Sequence, residues 1–522
     1  MTRLALRLGV LLLALLLGGC FTLPPRGPLP ASPALQNPGV SPLAALGARP
    51  ALERDPLRSG FRLMPEGSTA FNARIALIRQ ARVSIDAQYY IMQSDAVGAR
   101  FLLELLEAAR RGVRVRLLVD GLYVAGKDEL LALLAVQPNF EVRVFNPLPV
   151  QHGPLAWRLV LSAGELSRIN RRMHNKLFVV DNSVAVMGGR NMADEYFMQS
   201  GTANFIDMDV LVTGPLIRAL SSSFDSYWES RQVWSMRQLM AAPYEDAESQ
   251  RARLEELLHG ALPGMLTERE HDVLGQGPVT GELAVGRLTQ TWAEAHVHAD
   301  APEKITRRDA ASSFADSVTE HAIDDIASAH EQVILVSPYF VPGDRGMEVL
   351  QALAARGVET RIVTNALDAT DESLVHAGYA RYRMSLLRLR AQVYELGGRL
   401  AARQRHLGDF GTSFGRLHAK LALLDHRRLL LGSMNMDARS ANVNTEIGVA
   451  IDSSVLAAQV ELLAPVRALD AYELRLAEDG GIVWVEHRLD GSEQATREEP
   501  GASWLGSVKD FLLRPFVPEG SL

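Results

Sequence analysis

Residues 171–181 read RRMHNKLFVVD and residues 415–425 read GRLHAKLALLD. Each holds the pattern H-x-K-x4-D, as His174, Lys176 and Asp181 and again, 244 residues later, as His418, Lys420 and Asp425. The agreement extends downstream, because Gly189 and Asn191 stand 15 and 17 residues after His174, and Ser433 and Asn435 stand 15 and 17 after His418. In an extended strand the side-chain period is two, so the His and Lys of each motif share one face. VAVMGG (184–189) and LLLGS (429–433) read as the partner strands. Working outward, FNARIALIRQA, VSIDAQYYI, the stretch Arg100–Arg110 and RRGVRVRLLVDG give an αβαβ order. VTEHAIDDIASA, QVILVSPYF, MEVLQALAA and RGVETRIVTNA repeat it, with the Arg111-Gly112-Val113 and Arg356-Gly357-Val358 turns 245 residues apart. Alternating strands and helices predict an α/β fold, and a repeat this long predicts two similar domains rather than a solenoid.

The chain of 522 residues is long enough for two to four domains, and 47% hydrophobic with 22% charged residues is ordinary globular composition. A net charge of −7 has the wrong sign for a protein held to nucleic acid by bulk electrostatics. A single cysteine, Cys20, excludes an internal disulfide framework and a cysteine-rich metal site. Only five of the 54 basic residues are Lys, at 127, 176, 304, 420 and 509.

The first twenty residues, MTRLALRLGVLLLALLLGGC, place two arginines before an apolar run too short to span a bilayer, which is the layout of a secretory signal. Residues 21–60 hold nine of the 25 prolines and read as an extended tether of order 100 Å at ~3.1 Å per residue. The expected organisation is a signal (1–20), a Pro-rich tether (21–60), a first domain (61–240), an insertion or linker (241–316), a second domain (317–475) and a C-terminal extension (476–522).

The paired motifs with their GGxN and GSxN extensions resemble the phospholipase D superfamily, and RRMHNKLFVVD with GGRNMADEYF is similar to bacterial cardiolipin synthases of the C type. The resemblance covers about residues 60–240 and 317–475. It implies two phospholipase D-like α/β domains, with mixed sheets flanked by helices, that share one active site at their interface. A phosphodiester repels nucleophiles, so its transfer needs fixed positive charge and hydrogen-bond donors around the phosphoryl oxygens. Lys176 and Lys420 fit the first need; Asn191, Ser433 and Asn435 fit the second as phosphate-binding donors. One imidazole can attack phosphorus while the other protonates the leaving alkoxide, so two histidines suffice without metal or other cofactor. A nucleophilic imidazole also needs an orienting carboxylate. Glu446, at the start of TEIGVAI, resembles the family's orienting acid, and IDMDVLV selects Asp207 in the first half. Asp181 and Asp425 complete the catalytic motif, although the resemblance makes them chiefly structural.

Leu17-Gly18-Gly19-Cys20 resembles a bacterial lipobox, which implies acylation of Cys20 and a lipid anchor in the cell envelope. Phe21 follows the cysteine where an aspartate would resemble an inner-membrane retention signal, so the outer membrane facing the periplasm is the default in a two-membrane cell. The implied activity is phosphatidyl transfer on membrane phospholipids, phosphatidylglycerol and phosphatidylethanolamine, with hydrolysis or nuclease chemistry as alternatives and no nucleic-acid partner expected. Weaker features are Arg168, Arg171 and Arg172 before the first motif, a helix predicted over Ala377–Leu396 bearing Arg381, Arg383, Arg388 and Arg390, and an amphipathic tail from Trp504 to Leu512.

Overall fold

A computed structural model describes residues 23–35, 41–47, 57–150, 153–240, 246–262, 264–307, 309–403, 413–463, 471–488 and 490–502. Cys20, the signal segment and the tail from Trp504 lie outside the described residues. The first unit supplies strands β1 (Arg58–Met64), β2 (Ser84–Tyr89), β3 (Arg114–Asp120), β4 (Phe140–Phe145), β5 (Leu177–Val180), β6 (Val184–Gly188), β7 (Ala203–Ile206), β8 (Asp209–Thr213) and β9 (Val233–Ser235). The second supplies β11 (Gln332–Val336), β12 (Glu359–Asn365), β13 (Gln392–Leu396), β14 (Phe414–Leu417), β15 (Leu421–Leu424), β16 (Arg428–Gly432), β17 (Ile447–Asp452), β18 (Ala471–Leu476), β19 (Ile482–His487) and β20 (Glu493–Thr496). Between them lies β10 (Thr291–Ala299).

Each unit has a parallel trio (β2-β3-β4 and β11-β12-β13) joined to an antiparallel set that carries the motif (β5-β6-β8 and β15-β16-β17). The α/β expectation is met, including the predicted turns: Gly112 and Gly357 have φ of +93° and +77°, which a residue without Cβ adopts without cost. The two halves are one sheet. β10 pairs with β1 on one side and with β17 on the other, giving a continuous sheet of 18 strands. The 241–316 segment, read from sequence as an insertion or linker, therefore contains the central strand. One apolar core runs through the junction, from Phe61, Val212 and Trp228 of the first unit to Ile334, Ile451 and Val460 of the second. Separate cores lie under the helices of each unit, such as Gly67–Gln80 and Ala96–Arg110 in the first and Gly343–Ala355 in the second.

Three sequence expectations are corrected. Residues 23–35 and 41–47 do not form a free tether but lie along the first unit. Arg26 Nε donates to Val233 O at 2.9 Å, Trp234 Nε1 to Pro24 O at 3.1 Å and Arg143 Nη2 to Pro30 O at 2.9 Å, while Leu43 is fully buried. Proline supplies extended backbone whose carbonyls have no helical or sheet partner, so buried arginines of the domain can use them as acceptors. The predicted helix Ala377–Leu396 is broken into Ser373–Ala380 and Arg383–Arg388, after which Arg390 turns the chain at φ +63° into β13. Val393 and Tyr394 favour a strand, and the parallel pairing with β12 outweighs the helical spacing upstream. The C-terminal extension continues the second unit's sheet: β18, at the end of the expected second domain, pairs with the edge at β13, and β19 and β20 follow it, with Leu474 and Trp484 in the second unit's core.

Candidate active site

Both histidines are buried side by side at the junction, His174 at 7% exposure and His418 at 5%. Two short backbone contacts between the halves put them there. His174 N donates to Thr445 O at 2.9 Å and Thr445 N donates to Arg172 O at 2.9 Å, so the residue before Glu446 is locked to the residues around His174. In the mirror arrangement β14 pairs in parallel with β7, Leu417 opposite Ile206, and His418 N donates to Ile206 O at 2.7 Å. Each histidine is thereby set beside the acid of the opposite half. His174 Nδ1 lies 2.9 and 3.1 Å from the Glu446 carboxylate oxygens, and His418 Nδ1 lies 2.6 Å from Asp207 Oδ2. Each of these two histidine–carboxylate pairs therefore takes one residue from each unit.

Glu446 accepts further hydrogen bonds from Ser433 Oγ and from Ser440 Oγ at 2.8 Å. Burial raises its pKa, but His174, Lys176 and Ser433 together bring it below the ordinary glutamate value, so the carboxylate is ionised. Asp207 is raised by burial, against the pull of Lys420 and Arg190, and its Oδ1 accepts from Met208 N at 2.7 Å. Gly189 explains itself here: a Cβ on it would lie 2.3 Å from Asp207 Oδ1.

Burial lowers both imidazoles, His174 to about 4 against the pull of Glu446, and His418 well below its ordinary value with help from Lys420 and Lys176. Both rings are neutral at pH 7. A neutral ring whose Nδ1–H faces a carboxylate presents its Nε2 lone pair to the cleft. Lys176 Nζ donates to His174 O at 2.6 Å, and Lys420 Nζ lies 2.8 Å from His418 Nδ1. Burial also lowers both ammonium groups, Lys420 to about 8. The site thus concentrates two buried lysine amines and two buried imidazoles.

The remaining sequence candidates divide. Asn435 has a buried Oδ1 with no hydrogen-bond partner among the described residues; that oxygen is an acceptor, so a phosphate would be met by the Nδ2 hydrogens of the same amide. Asn191 gives one amide hydrogen to Tyr196 OH at 2.8 Å and accepts from Ile91 N at 3.1 Å, so one N–H is left for substrate. Ser433 is a correction: its single proton goes to Glu446, and its oxygen accepts from Ile447 N at 3.0 Å, so it fixes the acid instead of binding phosphate. Asp181 and Asp425 are also corrected from the catalytic set. Asp181 accepts from Val83 N and Ser84 N at 2.8 and 3.0 Å, Asp425 from Glu331 N and Gln332 N at 2.7 and 3.0 Å, and both have φ near +50°. They clamp the turn before β2 and β11 and touch neither imidazole. Arg172 is likewise structural, paired with Asp120 at 2.9 Å with both side chains buried.

Sequence reasoning missed the walls and the buttress. Tyr90 meets His174 edge-on at 5.0 Å, and Tyr196 and Phe205 meet His418 at 5.0 and 4.8 Å. Behind Glu446, Asp300 Oδ2 accepts from Glu446 N at 2.9 Å and from Lys304 Nζ at 2.7 Å, while Lys304 also donates to Ser440 O at 2.8 Å. A signal was present: lysine is scarce here. Lys127, 176, 304 and 420 all stand at or behind this site, Lys127 by donating to the carbonyl of Tyr123, whose ring packs on Tyr90 at 4.8 Å.

A family model described as cardiolipin synthase, PLD-like domain, matches residues 75–228 and 322–463. The chain belongs to this family. It is 34% identical to cardiolipin synthase C of Escherichia coli (strain K12) over 90% of this chain and 97% of that protein. It is 32% identical to an uncharacterized protein of Helicobacter pylori over 87% of this chain and 88% of that one. Among solved structures it matches the phosphatidylserine synthase of Haemophilus influenzae with a TM-score of 0.54 at 13% identity, covering 79% of this chain and 87% of that one, which shows the shared fold.

Proposed function

We propose that the chain is a phospholipase D-type phosphatidyltransferase that makes cardiolipin. The crossed pairs His174–Glu446 and His418–Asp207 carry this reading, because each holds an imidazole by Nδ1 against a carboxylate of the other half and leaves Nε2 as the nitrogen for substrate. In the first step Nε2 of one histidine attacks phosphorus, a P–N bond forms, the P–O bond to the donor's head group breaks, and the other histidine, charged once the anionic substrate is bound, gives its proton to the departing alkoxide. In the second step the now neutral ring removes the proton from an acceptor hydroxyl, whose oxygen attacks phosphorus and breaks the P–N bond. Atoms balance as phosphatidyl donor plus lipid alcohol giving cardiolipin plus free head group. Lys176, Lys420 and Asn435 surround the phosphoryl oxygens and stabilise their negative charge in a water-poor setting.

The substrates we assign are phosphatidylglycerol as acceptor, with phosphatidylglycerol or phosphatidylethanolamine as donor. We further assign an acyl anchor to Cys20 in the cell envelope, at the outer membrane where there are two. Pro24 is held on the first unit, so three residues separate it from the anchor, a reach of at most ~14 Å over four Cα–Cα steps. The test is capture of the intermediate. Brief incubation with phosphatidylglycerol labelled at phosphorus, then alkaline denaturation, should leave label in a base-stable, acid-labile phosphohistidine peptide containing residue 174 or 418. Label recovered on a serine, or none at all during active turnover, would refute the two-histidine route.

A further inference from the structure

The helix Leu155–Leu161, LAWRLVL, is built inside out. A helix on the surface of a soluble domain buries its apolar face and exposes its charges. Here Arg158 is the buried residue, with Nη1 donating to Asp128 Oδ1 at 3.0 Å and Nε to Gly153 O at 2.8 Å. Trp157 and Val160, one turn apart, are 54% and 48% exposed, and Leu166 in the short helix that follows is 55% exposed. The buried ion pair fixes the rotation of the helix, so Trp157 and Val160 stay outward while Leu155, Leu159 and Leu161 are half-buried.

We propose that residues 154–170 are the face by which this protein seats on the headgroup layer of a phospholipid membrane, beside the catalytic cleft. The inference rests on the lipid-substrate reading above and adds where the membrane lies. Three observations select a lipid surface as the occupant. Trp157 belongs to the residue type that best suits a boundary with water on one side and acyl chains on the other. Arg171, Arg307 and Arg439 border the patch and are partly exposed, whereas Arg168 is neutralised by Glu165 at 2.5 Å; Arg171 donates to Arg307 O, and Arg439 donates to Asn170 Oδ1 at 3.0 Å. This band supplies local positive charge toward anionic headgroups in a chain whose net charge is −7. The patch is also continuous with the site. Asp128, which holds Arg158, follows the loop that carries Tyr123, whose ring packs on Tyr90 and through it on His174, while Asn170 lies four residues before His174 and touches the second unit through Arg439.

The experiment reconstitutes the full chain carrying Val160→Cys, labelled with an environment-sensitive nitrobenzoxadiazole dye, in vesicles of phosphatidylglycerol and phosphatidylethanolamine. Val285→Cys, at a side chain 63% exposed elsewhere on the first unit, is the comparison, and the parent chain gives the background from Cys20. Blue-shifted emission at 160, quenched by spin-labelled lipid, with neither change at 285, is the expected result. No shift at 160 overturns the proposal; a shift without quenching overturns it in favour of a second protein copy. A kinetic arm separates this proposal from the one beneath it. In Trp157→Ser/Val160→Ser/Leu166→Ser the ratio of turnover on vesicles to turnover on monomeric dihexanoyl phosphatidylglycerol should fall about tenfold or more. An unchanged ratio removes the docking face, whereas a parent chain inactive on both substrates removes the phosphatidyl-transfer reading instead.

Discussion

Glu446→Gln tests the crossed arrangement most directly. The side chain keeps its shape and its oxygen can still accept from one of Ser433 and Ser440, but the negative charge beside His174 is lost. When the ring carries a proton, the charge centres are ~4 Å apart, and at an effective dielectric of ~20 their attraction is about 4 kcal/mol, or about 10³ in rate if it is felt fully in the transition state. The assay is single-turnover transfer to phosphatidylglycerol, with ¹⁵N NMR of the imidazoles to locate the effect. Since Glu446 raises the pKa of His174 against the stronger effect of burial, the substitution should lower it further and free its tautomer, while His418, held by Asp207, keeps its own. Asp207→Asn should give the reciprocal pattern. If Glu446→Gln altered His418 and spared His174, or cost less than about tenfold in rate, the inter-domain pairing would not be the working arrangement.

Three further outcomes follow from particular groups. Lys420 is lowered by burial to about 8, and its charged form is the protonated one, so kcat/KM should fall as pH rises through about 8 rather than above 10; an alkaline limit near 10 in a pH–rate profile would contradict this. Lys304→Met strands the Asp300 carboxylate, which is hardly exposed, and should destabilise the protein by about 3–5 kcal/mol, read as a lowered thermal midpoint, with turnover reduced through the Glu446 backbone it supports. Cys20→Ser should abolish metabolic labelling by fatty acid and move the chain from the membrane to the soluble or precursor fraction; wild-type chain that fractionates as wholly soluble would exclude the anchor.

Much of the site was legible because the chemistry imposes fixed spacing on adjacent strands. His174, Lys176 and Gly189 are set by one hairpin, and local periodicity reports a hairpin faithfully. What the sequence did not carry is which partner a group meets across the fold. Glu446 reads as an orienting acid without a named partner, and the Met173–Thr445 bridge gives it to His174, 272 residues away, rather than to His418 of its own half. Ser433 occupies the position of a phosphate donor, and only the proximity of two other acceptors and donors shows that its hydroxyl is already committed. The proline-rich segment has the composition of a free linker, because composition registers the lack of self-contacts and not Arg116 and Arg143, buried arginines of another element that donate to its carbonyls. Lys304 was visible only as a rarity in an arginine-dominated chain.

Transfer rather than hydrolysis is the outcome on which the physiological reading turns. On the proposed route the phosphohistidine must meet a lipid alcohol before water, and both would reach the same phosphorus through the same imidazole. Tyr90, Tyr196 and Phe205 wall the two rings, which are 7% and 5% exposed, so few waters have access when a second lipid occupies the cleft. The acceptor hydroxyl arrives tethered to a diacyl anchor in the membrane, where its local concentration is that of the leaflet. Given vesicles of phosphatidylethanolamine and phosphatidylglycerol, the chain should form cardiolipin and release the donor's head group, with phosphatidic acid a minor product. Opening the wall should change that partition before it changes the chemistry: Phe205→Ala adds room for water beside His418, and mass spectrometry should find the ratio of phosphatidic acid to cardiolipin raised by about tenfold with total donor consumption less affected. Phosphatidic acid as the dominant product of the unmodified chain, at phosphatidylglycerol levels typical of a membrane, would make it a hydrolase and leave the two-histidine mechanism standing.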